Sequence, residues 1–147
     1  MDSAAISMDV LQINPSHPGA AHYLIHACDS PDHAILALPA ARRYAQIAPA
    51  ASHALHMPSH IFVQLGMVAE VAASNEASWA ASQAEDREPG KGPDQRDWHS
   101  YSWLVDAYLN LGKLHRAEAL MRALRGMLVQ DDGPETRSDT RWCSTIG

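Results

Sequence analysis

The chain has 147 residues, a formal charge of −6 and an isoelectric point near 5.8. Hydrophobic residues make up 46% and charged residues 19%, which indicates one globular domain with its own core and argues against disorder. The acidic balance provides no basic footprint for nucleic acid, and no apolar run reaches the roughly 18 residues that a membrane span needs. We therefore expect neither nucleic acid nor a membrane as a partner.

Alanine is abundant, Phe occurs once and no alternating run of β-branched residues stands out, so the sequence predicts an all-α fold. The first predicted element is a short amphipathic helix over residues 4–13, which Pro15 ends. Pro18 opens a second helix, because proline suits a first turn. Pro31 breaks that helix, and a third is predicted over roughly 33–47.

The next helical pair is predicted over about 50–65 and 67–84. Pro58 lies inside the first of these helices and lacks a backbone N–H, so it should kink the helix beside two histidines. Residues 85–97 are polar and rich in Gly and Pro, which indicates a linker. The last pair, over 98–128, has its apolar residues at spacings where paired helices interlock: Tyr101, Leu104, Val105, Tyr108, Ala117, Met121 and Leu124.

Two segments share one repeat register. Leu65-Gly66 and Leu111-Gly112 each close a predicted first helix. Counting back from the glycines places Ser52 and Trp98 at position one of a unit of about 34 residues. A shift of 31 residues aligns a third, earlier unit with the middle one.

This period resembles that of tetratricopeptide repeat proteins over residues 14–130. The strings HPGAAHYLIHACD and HALHMPSHIFVQLG are similar to a group of bacterial repeat proteins of mostly uncharacterised activity. The resemblance implies a right-handed stack of antiparallel helical hairpins whose first helices line a concave groove, a scaffold that usually binds peptides. It implies one domain over 1–130, followed by a loosely ordered tail at 131–147. The units are then expected at about 16–47, 48–84 and 98–130.

The repeat register collects histidines on one helical stripe, because its positions two, five and nine share a face. Nine such positions in three units would hold about half a histidine by chance. Five hold one in this chain. Position two is His22, His53 and His99, position five includes His56, and position nine is Asp29, His60 and Asp106.

Imidazoles on neighbouring first helices can converge on one ion, because packed helices lie roughly 8–10 Å apart. His26 lies one turn beyond His22, and His60 one turn beyond His56, the spacing at which two helical histidines share a metal. Nitrogen and carboxylate ligands without thiolate favour Zn²⁺ and also suit Fe, Mn, Ni or Cu. The predicted ligands are His22, His26, His53, His56, His60, His99 and Asp106.

A metal ion with an open position predicts a metal-dependent hydrolase of a small ester or lactone, with Asp29 and His60 as its catalytic residues. Asp29 is equally suited to orienting an imidazole from behind. The alternative is a non-enzymatic module whose groove binds a protein or peptide, with histidines that make its affinity depend on pH. Oxidation at Cu or Fe is a further enzymatic option.

The remaining residues have plainer interpretations. His33 and His115 are expected to be solvated or hydrogen-bonded, and His17 to cap a helix. Cys28 and Met57 are expected in the core. Asn75 takes a normally apolar position, so it should hydrogen-bond a first-helix histidine. Packing between helices is expected for Trp79, Trp98 and Trp103.

The start of the chain lacks the basic region of a signal peptide, which favours the cytoplasm. The two cysteines, Cys28 and Cys143, provide no disulfide framework and no metal-type pair. The opening helix resembles the second helix of a preceding unit, which leaves open that the chain is part of a longer repeat protein. The open ends of such a stack also leave a homodimer as an option.

Overall fold

The computed structural model describes residues 2–85 and 96–131, the last four by their backbone alone. Within that part the chain forms eight helical segments and no strand, which confirms the predicted all-α class. Residues 132–147 of the predicted tail and 86–95 of the predicted linker lie outside the described residues, while Asp131, the first residue of that tail, ends the last helix. The segments are α1 (Asp2–Ile13), α2 (Pro18–Ala27), α3 (Ala34–Ile47), α4 (Ser52–His56), α5 (Pro58–Gln64), α6 (Val68–Glu85), α7 (Trp98–Asn110) and α8 (Leu114–Asp131).

The helix ends follow from local chemistry. His17 caps α2 as predicted, since its Nδ1 accepts a hydrogen bond of 3.1 Å from the Ala20 backbone N–H. Asp97 caps α7 by accepting from the Ser100 N–H at 2.9 Å. Gly66 and Gly112 follow the ends of α5 and α7 and have nearly equal φ values of +69° and +68°. This left-handed conformation favours glycine, so the same turn follows both helices.

The break between α4 and α5 falls at Met57, directly before Pro58. Proline has no N–H to donate to the preceding turn, so the ladder of backbone hydrogen bonds is interrupted there. The His60 N–H instead bonds the Met57 carbonyl oxygen at 3.2 Å, three residues back. The predicted kink beside His56 and His60 is therefore confirmed.

Helices that are neighbours in sequence also pack in space, and α6 packs against α4, α5 and α7. The core is built largely from alanines with a few larger residues, Ile25, Met57 and Ile61 being fully buried. Cys28 is also fully buried, as predicted. Small side chains permit close approach of the helices that carry the histidines. The finer arrangement, a tetratricopeptide-like superhelix, stays a prediction.

In the last unit Tyr101, Leu104, Tyr108 and Ala117 are buried as predicted. Met121 is 41% exposed and lines a surface pocket between α8 and Val105 and Leu109 of α7. None of the described helices combines the length and apolar character required to cross a bilayer.

Candidate metal centre

Six of the nine histidines form a continuous chain of ring contacts along one face, here called the histidine groove. The rings follow the order His53, His22, His26, His60, His56, His99, and neighbouring centroids lie 4.7 to 5.9 Å apart. Helices α2, α4, α5 and α7 each contribute at least one of them. The repeat register thus brings together the histidines that it places on one stripe.

Three of these side chains, His56, His60 and His99, form what we call the triad. Each offers one ring nitrogen within 4.8 Å of the other two. His56 is buried, His60 is partly buried and His99 is exposed, so the triad reaches from the core to the surface. Among the described residues it is the one group of three or more potential ligands that converges in this way.

The tautomer of His56 is fixed by a buried chain of hydrogen bonds. The Asn75 amide nitrogen donates to the Val71 carbonyl at 2.8 Å, so its oxygen faces His56 Nδ1 at 2.7 Å and can only accept. His56 therefore carries its proton on Nδ1 and a lone pair on Nε2. Burial lowers the pKa of His56 to about 4, so the ring is neutral near pH 7. The predicted bond from Asn75 to a first-helix histidine is present.

His60 is oriented from the other side by Asp29, which follows α2. The His60 Nδ1 donates to Asp29 Oδ2 at 2.9 Å, and the other carboxylate oxygen accepts from the Gln64 amide at 2.9 Å. A carboxylate that receives the Nδ1 proton directs the Nε2 atom forward into the groove. Gln64 was not predicted as a site residue from the sequence, although it lies four residues after His60 and therefore on the same helical face.

The two oriented rings meet through Nε2 atoms 3.1 Å apart. When both rings are neutral, each of these atoms is an acceptor with a lone pair, and neither can donate to the other. Two nitrogens on one tetrahedral Zn²⁺ lie about 3.3 Å apart, given Zn–N bonds of 2.0–2.1 Å. The spacing and the chemistry of the donors therefore fit a shared divalent ion.

Trp103 forms a wall of the triad. Its ring centroid lies 5.2 Å from that of His56, 4.9 Å from His60 and 5.5 Å from His99. The prediction that it packs between helices describes only part of its setting. Its position four residues after His99 is the signal that would have placed it beside the histidines.

The outer trio, His22, His26 and His53, occupies the other end of the histidine groove. His22 contacts both partners, and its Nδ1 lies 3.4 Å from the Tyr44 hydroxyl. Burial is the largest cause that lowers the pKa of His22, and the neighbouring His26, His53 and His60 lower it further. Tyr44 was not predicted as a site residue from the sequence, because the repeat spacing does not relate α3 to the face that carries the histidines.

Asp106 was predicted as a ligand, but the structure places it outside the triad. Its side chain is exposed and accepts a weak hydrogen bond of 3.3 Å from the Asn110 amide. Seven residues separate it from His99, which corresponds to about 10 Å along α7. The helical face predicted to carry the ligands thus extends along α7 beyond the triad.

The other predicted side chains lie apart from the site. His33 Nδ1 lies 3.0 Å from the Ser30 hydroxyl, as expected for a hydrogen-bonded histidine, and His115 is exposed. Met57 is fully buried in the core, as predicted. Trp79 is buried and its ring contacts that of Trp98 at 5.2 Å, in agreement with packing between helices.

A small polar network holds the start of α7, and with it His99. The Ser78 hydroxyl of α6 lies 2.8 Å from the Ser52 carbonyl oxygen and 2.8 Å from the Ser100 hydroxyl. It also lies 3.1 Å from Asp97 Oδ2. Burial opposes the charge on Asp97, but hydrogen bonds from Ser100 and Ser78 outweigh it and lower the pKa of this carboxyl.

The sequence matches no protein-family model, and neither the curated proteins nor the solved structures contain a match to it.

Proposed function

We propose that this protein binds a divalent transition metal ion through His56, His60 and His99 and uses it to hydrolyse a small ester or lactone. The observation that carries the proposal is the pair of Nε2 atoms that face each other at 3.1 Å, each on a ring whose Nδ1 is already engaged. An ion between them satisfies both lone pairs at once.

A proton is the rival explanation for the same contact. If His60 were doubly protonated, it would donate from Nδ1 to Asp29 and from Nε2 to His56, and no ion would be needed. That arrangement belongs to the alternative function, a metal-free groove that binds a protein or peptide. The two explanations differ in whether the purified protein contains stoichiometric metal.

Three imidazole ligands leave a fourth position free on a tetrahedral ion, and the exposed side of His99 gives that position access to solvent. The ion would lower the pKa of a bound water and polarise a carbonyl oxygen. Neutral nitrogen ligands favour Zn²⁺, while Fe, Mn, Ni and Cu also suit them. Trp103 offers an apolar face beside this position, which favours a substrate with an apolar acyl or lactone ring.

The two residues predicted as catalytic take different parts in this proposal. His60 would be a ligand of the ion and would therefore contact it directly. Asp29 acts through His60, because both of its oxygens are hydrogen-bonded, to His60 and to Gln64. We therefore assign Asp29 a positioning role.

Elemental analysis of tag-free protein tests the proposal. We expect about one equivalent of tightly bound transition metal in the dialysed wild type and less than a tenth in the dialysed His60→Gln/His99→Gln variant, because the triad then keeps a single imidazole. The matched control is His33→Gln/His115→Gln, which removes two histidines outside the groove. Hydrolysis of a panel of aryl esters and lactones should disappear with the metal.

Three results would count against the proposal. Wild-type protein without metal that also fails to take up added Zn²⁺ would favour the peptide-binding alternative. Loss of metal in the control variant would place the site elsewhere. Metal binding without turnover on the panel would leave a metal-binding protein and reject the hydrolase.

A further inference from the structure

The outer trio is built from the same side chains as the triad, and two of its three ring pairs are as close together. The His22 centroid lies 4.7 Å from that of His26 and 5.2 Å from that of His53. In the triad, His56 lies 5.0 Å from His60 and 4.7 Å from His99. Each set thus has one central ring with two partners at similar spacing.

These spacings suit co-ligands of one ion. An ion about 2.1 Å from a ring nitrogen lies about 3.2 Å from the ring centroid, so two rings that share a tetrahedral ion have centroids about 5.2 Å apart. The two pairs of the outer trio fall at or slightly below this value. The nitrogens of the outer trio do not converge in the structure as those of the triad do, so the rings must rotate to direct three nitrogens to one point.

Such rotations are available at this end of the groove. The side chains of His26 and His53 are exposed, and neither ring has a hydrogen-bond partner among the described residues. Within the described part of the chain, the His22 ring has one hydrogen bond, the 3.4 Å contact with the Tyr44 hydroxyl. No described side chain fixes the tautomer of these rings in the way that Asn75 and Asp29 fix the tautomers of His56 and His60.

We propose that His22, His26 and His53 form a second site for a divalent transition metal ion, weaker than the triad, so that the groove takes two ions. This inference rests on the proposed metal-binding function and extends it. The second ion binds more weakly because its ligands must first be ordered, which costs conformational entropy. Repulsion from the ion in the triad lowers its affinity further, since the chain of ring contacts joins the sites through His26 and His60, 5.9 Å apart.

Calorimetric titration of the metal-free, tag-free protein with Zn²⁺ tests this inference. We expect two equivalents, the second bound at least tenfold more weakly than the first. The His26→Gln/His53→Gln variant should retain only the tight equivalent, with its dissociation constant changed by less than threefold. Both substitutions are at exposed positions, so the fold should persist, and circular dichroism checks this.

The matched control His33→Gln/His115→Gln also removes two histidines, and it should retain both equivalents. If it loses the second, that ion binds outside the groove and the inference fails. A single equivalent in the wild type rejects the second site and leaves the proposed function standing. No equivalent at all rejects both. Loss of both ions in a folded His26→Gln/His53→Gln protein would indicate one shared site, and this too overturns the inference.

Discussion

The two ends of the histidine groove each hold three imidazoles but differ in the residues behind them. At the triad, Asn75 accepts the Nδ1 proton of His56, and Asp29 accepts that of His60. At the outer trio, Tyr44 makes one long contact with His22. The engaged rear nitrogens give the forward lone pairs of the triad a fixed direction, whereas the rings of the outer trio would have to be ordered before they could hold an ion.

The largest effect on this contrast is expected from Asn75→Leu, which keeps the side-chain volume and removes the acceptor behind His56. The buried Nδ1–H then has no acceptor on α6, and the ring is free to change tautomer. We expect Zn²⁺ affinity at the triad to fall by about 10- to 100-fold, measured by competition with a chromophoric chelator.

Ser82→Ala is the matched control for Asn75→Leu, because Ser82 is a buried polar residue of α6 that bonds only the Trp79 carbonyl among the described residues. The Zn²⁺ affinity of Ser82→Ala should equal that of the wild type. Unchanged affinity in Asn75→Leu would show that the amide has no part in ligand orientation.

The stability of the metal-free protein should respond to pH through His56. Its pKa is about 4 in the folded chain and near 6.5 when unfolded. Below pH 6.5 the unfolded state therefore takes up a proton that the folded state does not, and stability falls as the pH decreases. Between pH 6.5 and 5 the loss is about 1 to 2 kcal/mol, which denaturant titrations of chelated protein can measure.

The His56→Gln variant supplies the reference for this pH series. It lacks the titrating group, so its free energy of unfolding should change less over the same interval. Parallel pH curves for the two proteins would refute the assignment of this dependence to His56.

A smaller effect is expected from Asp29→Asn, which keeps an oxygen acceptor for His60 and removes the negative charge. We expect about a tenfold loss of Zn²⁺ affinity, since a neutral acceptor makes the imidazole a less basic ligand. Asp106→Asn is the matched change at the exposed aspartate of α7, and it should leave the affinity unaltered. Equal losses in the two variants would contradict the geometry and restore Asp106 as a ligand.

Much of this fold could be predicted from local signals. Pro58 determines the kink, Gly66 and Gly112 determine the turns, and the apolar spacing determines the helices. The register also identified the face on which the histidines meet, because three- and seven-residue offsets share a stripe. These features depend on residues close together in the chain.

The position of each side chain along its helix, relative to the neighbouring helices, could not be predicted in the same way. Asp106 and His99 share a face of α7 but lie two turns apart, so only one of them reaches the cluster. The contacts of Asp29 with His60 and of Trp103 with His56 depend on how separate helices dock. Docking is set by core packing across the whole domain, which the repeat spacing does not contain.

The hydroxyl of Ser78 has a consequence for how the groove can move. It touches the beginning of α4 through Ser52 and the beginning of α7 through Asp97 and Ser100. Short polar contacts tie these two helix starts together. Any movement of α7 away from α4 should therefore pivot about this serine, so that the far end of α7 moves most and His99, next to Ser100, moves least.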